Sequence, residues 1–213
     1  MSVNHLTVRE VLGIAPVIPV IVINDVRDAV PLARSLVDGG LRVLEVTLRT
    51  SAGLEAIQLM REAVPEAIVG AGTVLNRGQL EAAVTAGSQF IVSPGFSPTL
   101  CRAGMALGVP MLPGCVTATE IMAALDVGID TVKFFPASRS GGAGLLKDFS
   151  SVFSQVRFCP TGGIDLKSAV DYLALPNVLC VGMSSIATAA AIKDGDFSGI
   201  TSRAKEAAGL RPV

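Results

Sequence analysis

Eight short apolar runs, each followed by a stretch of helical period, constrain this chain more than any other feature. The runs begin near Val17, Arg42, Ile68, Gln89, Met111, Thr131, Arg157 and Val178, so successive starts lie 20 to 26 residues apart. Between them, apolar positions recur at helical spacing over Val26–Val37, Leu54–Val64, Gln79–Ala86, Thr119–Val127 and Leu166–Leu173. Asn24 or Asp25 is placed to cap the first of these, Gly39 and Gly40 to end it, and Gly87 to close the third. The strand runs are continuous, as in Val17-Ile18-Pro19-Val20-Ile21-Val22-Ile23, rather than alternating. Parallel strands covered on both faces read this way, because side chains on either side are buried. Eight β-then-α units predict a closed (β/α)8 TIM barrel. An open doubly wound sheet is the runner-up, and the absence of an early Gly-x-Gly-x-x-Gly disfavours it. With 213 residues the chain is near the lower limit for a barrel, so residues 1–213 read as one barrel domain. Thr7–Leu12, within about residues 4–13, predicts an extra N-terminal helix covering the barrel floor.

Composition narrows the function. Basic and acidic side chains nearly balance, 17 against 18, so the surplus needed to neutralise phosphates is missing and nucleic acid is excluded as the main partner. A mean hydropathy of +0.59 raises the question of a membrane span. The uncharged run Val11–Asn24 is 14 residues long, short of the ~20 a span needs, and holds two prolines. Tyr172–Ile192 is 21 residues long but is interrupted by Pro176, Asn177, Gly182, Ser184 and Ser185. The opening Met-Ser-Val-Asn-His carries no basic region before an apolar core, so no signal peptide is expected. A soluble, cytoplasmic protein follows.

Cys101, Cys115, Cys159 and Cys180 include no Cys-x-x-Cys pair and read as reduced core thiols. His5 is the one histidine. That inventory makes neither the usual zinc set nor a histidine-based nucleophile relay. The chemistry has to run on Lys, Arg, Glu, Asp, Thr, Ser and backbone groups.

In a (β/α)8 barrel the active site lies at the C-terminal ends of the strands. Polar residues there are few. Lys133, inside Val-Lys-Phe-Phe, is costly to desolvate as an ammonium unless paired or neutral. An apolar site favours the free amine, the form that attacks a ketone. Glu45, inside Val-Leu-Glu-Val, shares an inward face with Val43 and Thr47, and so meets Lys133 in the lumen. The pair is either a structural ion pair or a nucleophile with its proton carrier. Arg49 follows where the strand becomes a loop; pointing inward, its planar fork suits a carboxylate. Gly72-Thr73 adds backbone N–H groups and a hydroxyl. Thr161-Gly162-Gly163-Ile164 and Gly182-Met183-Ser184 follow the last two strands, where this fold usually cradles phosphate.

Together these stretches resemble the class I 2-keto-3-deoxy-6-phosphogluconate (KDPG) aldolase family, which also handles 4-hydroxy-2-oxoglutarate (KHG). The matching segments are Glu45-Val-Thr-Leu-Arg49-Thr50, Val69-Gly-Ala-Gly72-Thr73-Val-Leu-Asn76, Ser93-Pro94-Gly95, Lys133-Phe-Phe135-Pro136-Ala137 and Phe158-Cys-Pro-Thr161-Gly162-Gly163-Ile164. The resemblance implies a Schiff-base aldolase that needs no metal and no cofactor, acts on a small 2-keto acid and assembles as a homotrimer. It implies Lys133 as the imine-forming amine and Glu45 as general acid/base. Arg49 and Thr73 are then implied to bind the pyruvate carboxylate, Pro94, Phe135 and Thr161 to line the pocket, and Gly162, Gly163 and Ser184 to receive the distal phosphate.

Family members often read Gly-Gly-Ser-Trp after the last strand, whereas this chain reads Gly182-Met183-Ser184-Ser185. Met183 is expected to bring bulk to the phosphate loop. Gly141-Gly142-Ala143-Gly144 reads as a flexible surface loop. The alternatives are an aldolase for another 2-keto-3-deoxy sugar acid such as phosphogalactonate, a phosphosugar isomerase or epimerase, and a non-catalytic metabolite-binding barrel.

Overall fold

A computed structural model describes residues 6–210. Eight strands occur along the chain: β1 Val17–Ile21, β2 Val43–Thr47, β3 Ile68–Gly72, β4 Ile91–Val92, β5 Met111–Leu112, β6 Thr131–Phe134, β7 Arg157–Pro160 and β8 Val181–Met183. The helices are α1 Val8–Leu12, α2 Ala29–Asp38, α3 Gly53–Ala63, α4 Arg77–Thr85, α5 Pro98–Ala106, α6 Ala118–Asp126, α7 Gly142–Val152, α8 Leu166–Leu173, α9 Ala189–Lys193 and α10 Phe197–Ala208. Short 3-10 turns at Val26–Asp28 and Ala137–Arg139 follow β1 and β6.

Every strand pairing is parallel. Six strands form one sheet in the order β5-β4-β3-β2-β1-β8, and β6 pairs with β7. Single bridges from Gly114 to Lys133 and from Thr161 to Gly182 join the two pieces, so the eight strands close on themselves. This is the (β/α)8 barrel read from the sequence, with strands starting within three residues of the expected places.

Strand side chains divide cleanly between two apolar layers. Val17, Ile21, Leu44, Val46, Val69 and Ala71 point outward and pack with Leu32, Leu36, Ile57 and Met60 of the helices. Ile18, Val43, Ile68, Phe90, Val92, Leu112, Cys159 and Cys180 point into the lumen, where Val11 and Leu12 of α1 join them. Large and small residues alternate inside: a Cβ on Gly70 would lie 2.5 Å from the Phe90 ring, so the glycine makes room for it. The helix thus closes the barrel floor as expected. Thr7 caps it reciprocally with Glu10, each receiving the other's backbone N–H. Residues 4 and 5 of the expected helix, and with them His5, lie outside the described residues.

Gly141–Gly144 is not a surface loop. Gly141 sits at φ 99° as the N-cap of α7, and the next three residues make its first turn. Leu146 and Phe149 behind them bury an apolar face, with Phe149 stacked on Phe158 of β7, and this packing outweighs the poor helix propensity of the glycines.

All four cysteines are buried free thiols. Cys180 donates to the Cys159 sulfur at 3.5 Å across adjacent strands. Burial raises the Cys101 thiol and pushes Cys115 up to about 12. Cys180 is raised well above the usual thiol range by burial, then by its Cys159 contact and the charge of Glu45. A raised thiol stays protonated through neutral pH, and the protonated form is not the nucleophile. With all four thiols buried and Cys101, Cys115 and Cys180 raised as well, Ellman's reagent at pH 8 is expected to titrate fewer than one thiol per native chain and all four in denaturant. Rapid reaction of two or more thiols in the native protein would contradict their burial, Cys159 and Cys180 in the lumen and Cys101 and Cys115 between sheet and helices.

Candidate active site

The strand period puts Lys133 of β6 and Glu45 of β2 on inward faces from opposite sides of the lumen. Lys133 Nζ donates to Glu45 Oε1 at 3.0 Å and Oε2 at 3.3 Å. The two residues are 6% and 3% exposed. Taking both charges out of water costs several kcal/mol each, which only close contact and good geometry offset. Phe135 lies over the ammonium with its ring centre 5.4 Å away, adding a cation–π contact. Gly72 on β3 makes room for the carboxylate, since a Cβ there would fall 2.3 Å from Glu45 Oε1.

The strand ends add polar groups around this pair. Arg49, in the turn after β2, makes no ion pair among the described residues. Thr73 follows β3 at φ 59°, a left-handed conformation that costs a non-glycine residue roughly 1–3 kcal/mol. Pro94 follows β4, beside a Ser93 hydroxyl that donates to Gly95 O at 2.8 Å. Thr161 follows β7, and Gly162 and Gly163 then take φ values of 101° and 70°. Two consecutive left-handed residues bring bare backbone to the pocket wall, which is where glycine is needed. Ser184 stands exposed just past β8.

All ten residues named from the sequence line one cavity of about 280 Å³, completed by Val20, Ile164 and Gly182. Val20 was legible from period-2 alternation with Ile18, both facing the lumen. Gly182 is required by contact: a Cβ there would meet Thr161 Oγ1 at 2.2 Å. Met183 departs from expectation. It is the last residue of β8, paired with Pro19, and its buried side chain packs outward in the layer between sheet and helices. Its bulk never reaches the Ser184 loop, because strand alternation sends Gly182 inward and Met183 out.

Among the described residues no cluster of three His, Cys, Asp or Glu side chains could hold a metal ion, and no helix is long and apolar enough to cross a membrane. The fold and the cavity define a (β/α)8 barrel enzyme with a buried amine and carboxylate facing each other in its mouth. The chain belongs to the KDPG and KHG aldolase family, whose model matches residues 8–203. The family comprises class I aldolases, carbon–carbon lyases that work through a Schiff base. The KHG/KDPG aldolase of Escherichia coli (strain K12) is 49% identical over 199 residues, 93% of either chain. The crystal structure of the KDPG aldolase from Zymomonas mobilis superposes with a TM-score of 0.92 at 50% identity, covering 98% of this chain and 99% of that one. A Legionella pneumophila KDPG aldolase, crystallised with pyruvate captured as a covalent carbinolamine intermediate, matches with a TM-score of 0.92 and 45% identity over 94% of this chain and 98% of its own.

Proposed function

We propose that this protein cleaves 2-keto-3-deoxy-6-phosphogluconate to pyruvate and glyceraldehyde 3-phosphate, and 4-hydroxy-2-oxoglutarate to pyruvate and glyoxylate. The observation that carries this reading is the Lys133–Glu45 pair, buried in the cavity at the C-terminal end of the barrel. Glu45 takes the proton that leaves the Lys133 amine free to attack the C2 ketone. It then returns a proton as the carbinolamine loses water. The resulting iminium is an electron sink: a base removes the C4 hydroxyl proton, C3–C4 breaks, and the bonding pair flows to nitrogen as the aldehyde departs. Protonation of the enamine at C3 and hydrolysis of the imine release pyruvate and regenerate the lysine. No metal or organic cofactor enters any step.

The other wall residues divide by charge. Arg49 and Thr73 hold the keto-acid carboxylate, a planar anion matched to the guanidinium fork. Pro94, Phe135 and Thr161 shape the wall around the reacting carbons. Gly162, Gly163 and Ser184 receive the distal phosphate through backbone N–H groups and a hydroxyl. The chain acts in the cytoplasm as a single barrel domain over residues 1–213, three copies to an assembly, with a small 2-keto acid as its partner.

Borohydride reduction in the presence of pyruvate, followed by intact and peptide mass spectrometry, tests the reading. One reduced pyruvate on Lys133 is expected. No adduct on the folded protein would overturn the aldolase and leave a phosphosugar isomerase on the same barrel.

The phosphate assignment has its own test in Gly163→Ala. The new Cβ would fall 2.0 Å from Ser138 Oγ at a φ of 70° that alanine resists. The left-handed conformation alone costs about 1–2 kcal/mol, so kcat/KM for the phosphorylated substrate is expected to fall roughly 10-fold or more. Cleavage of 4-hydroxy-2-oxoglutarate is expected to change far less. Equal losses on both substrates would remove the phosphate from these loops.

A further inference from the structure

We propose that the hydroxyls of Thr47 and Thr50 are positioning groups that hold Arg49 at the angle its carboxylate partner requires. The proposal rests on the reading of Arg49 given above. Arg49 occupies the turn after β2, and its own guanidinium makes no ion pair among the described residues. Its direction is therefore set by the backbone that carries it.

That backbone is tied down on both sides. Register pairing between β1 and β2 ends at Ile21 with Val46. Beyond that point two side chains continue the attachment: Thr47 Oγ1 donates to Ile21 O at 2.8 Å, and Thr50 Oγ1 donates to Ile23 O. On the other flank, Leu48 N donates to Gly72 O at 2.8 Å and joins the turn to the end of β3. Thr50 O in turn accepts from Gly53 N, where α3 begins. The two threonines bracket Arg49 in sequence, and both point their hydroxyls at the same neighbouring segment. Thr47 is sealed at 1% exposure, so its acceptor has little access to replacement by water. A turn fixed at both ends delivers a long, flexible side chain with less orientational freedom, which lowers the ordering cost of the bidentate contact.

The test separates positioning from plain stability by changing the ligand's charge. Borohydride trapping is measured against the concentration of pyruvate and, separately, of pyruvamide, which has the same ketone but no carboxylate. For Thr50→Val, the pyruvate concentration giving half-maximal trapping is expected to rise roughly 10-fold. The pyruvamide value is expected to stay within about twofold, with the maximal trapping rate retained. Thr50→Ser restores the wild-type pyruvate value. Thr47→Val, read the same way, gives the same pattern and supplies the result if Thr50→Val does not fold. Arg49→Met serves as the reference for complete loss of carboxylate preference. An equal shift with both ligands, or with neither, in a folded threonine variant would overturn the proposal while leaving the aldolase reading intact. Absence of any adduct on the wild-type protein would overturn both. An unchanged pyruvate preference in Arg49→Met would remove Arg49 from the carboxylate and the threonines with it.

Discussion

Replacing Lys133 with arginine is expected to lower kcat/KM for aldol cleavage by ~10,000-fold or more, because nucleophile removal costs on this scale. Arginine keeps a positive charge opposite Glu45 and approximates the volume of the lysine stem. Its guanidinium stays protonated and forms no imine. The variant therefore separates the charge of the buried pair from its nucleophilicity. Pyruvate release, followed through a coupled reduction, measures the rate, and borohydride trapping on the same protein should find no adduct. Retention of a tenth of the activity would show that the amine is an electrostatic fixture and that cleavage runs without an imine on Lys133.

Glu45 carries the second large effect, and it is felt in both stability and rate. Glu45→Leu leaves the Lys133 ammonium buried without its partner, since the carboxylate 3.0 Å away is the one anion it touches among the described residues. Breaking a buried pair from one side costs ~3–5 kcal/mol, whereas replacing both members with apolar groups is often neutral or stabilising. Denaturant unfolding is expected to show the single variant strongly destabilised and Glu45→Leu with Lys133→Met recovering most of the loss. The rate of Glu45→Gln, a gentler change, should fall ~100- to 10,000-fold if the carboxylate moves protons. A single variant as stable as the double would mean that the pair contributes no coupling, and an unchanged rate in Glu45→Gln would mean that the cavity needs another proton carrier.

Much of this molecule was legible in the sequence because barrel strands obey simple rules. Continuous apolar runs marked strands buried on both faces, and a charge within such a run, as at Lys133 or Glu45, marked a lumen position near the strand end. Apolar spacing over Leu166–Leu173 was equally plain and defines α8 to the residue, with Asp165 found as its cap in the structure. The pattern failed where tertiary packing overrides local propensity. The N-cap and first turn of α7 hold three glycines in four residues, and α5 contains Gly104, kept small because a Cβ there would sit 2.1 Å from the Met111 sulfur. Neither glycine signal can be told from a loop signal without knowing what packs against it. Met183 failed for a different reason: a shift of one residue in where β8 ends decides which face the side chain takes. The strain at Thr73 left no trace in the sequence, since nothing about a Gly-Thr pair announces a positive φ on the threonine.

Lys133 and Glu45 lie 88 residues apart, on strands from different halves of the barrel. The segment through β4 contains Glu45, Arg49 and Thr73 but no amine, whereas β6 and β7 bring Lys133 and Thr161 and none of the groups on the first strands. Neither half contains the complete reactive set. Contacts this distant along the chain form late, after the entropic cost of closing the intervening loops has been met. Catalytic competence in this architecture arrives with ring closure, so a nascent or partly unfolded chain holds a bare lysine with no carboxylate to take its proton, and the active site is itself a reporter of complete folding.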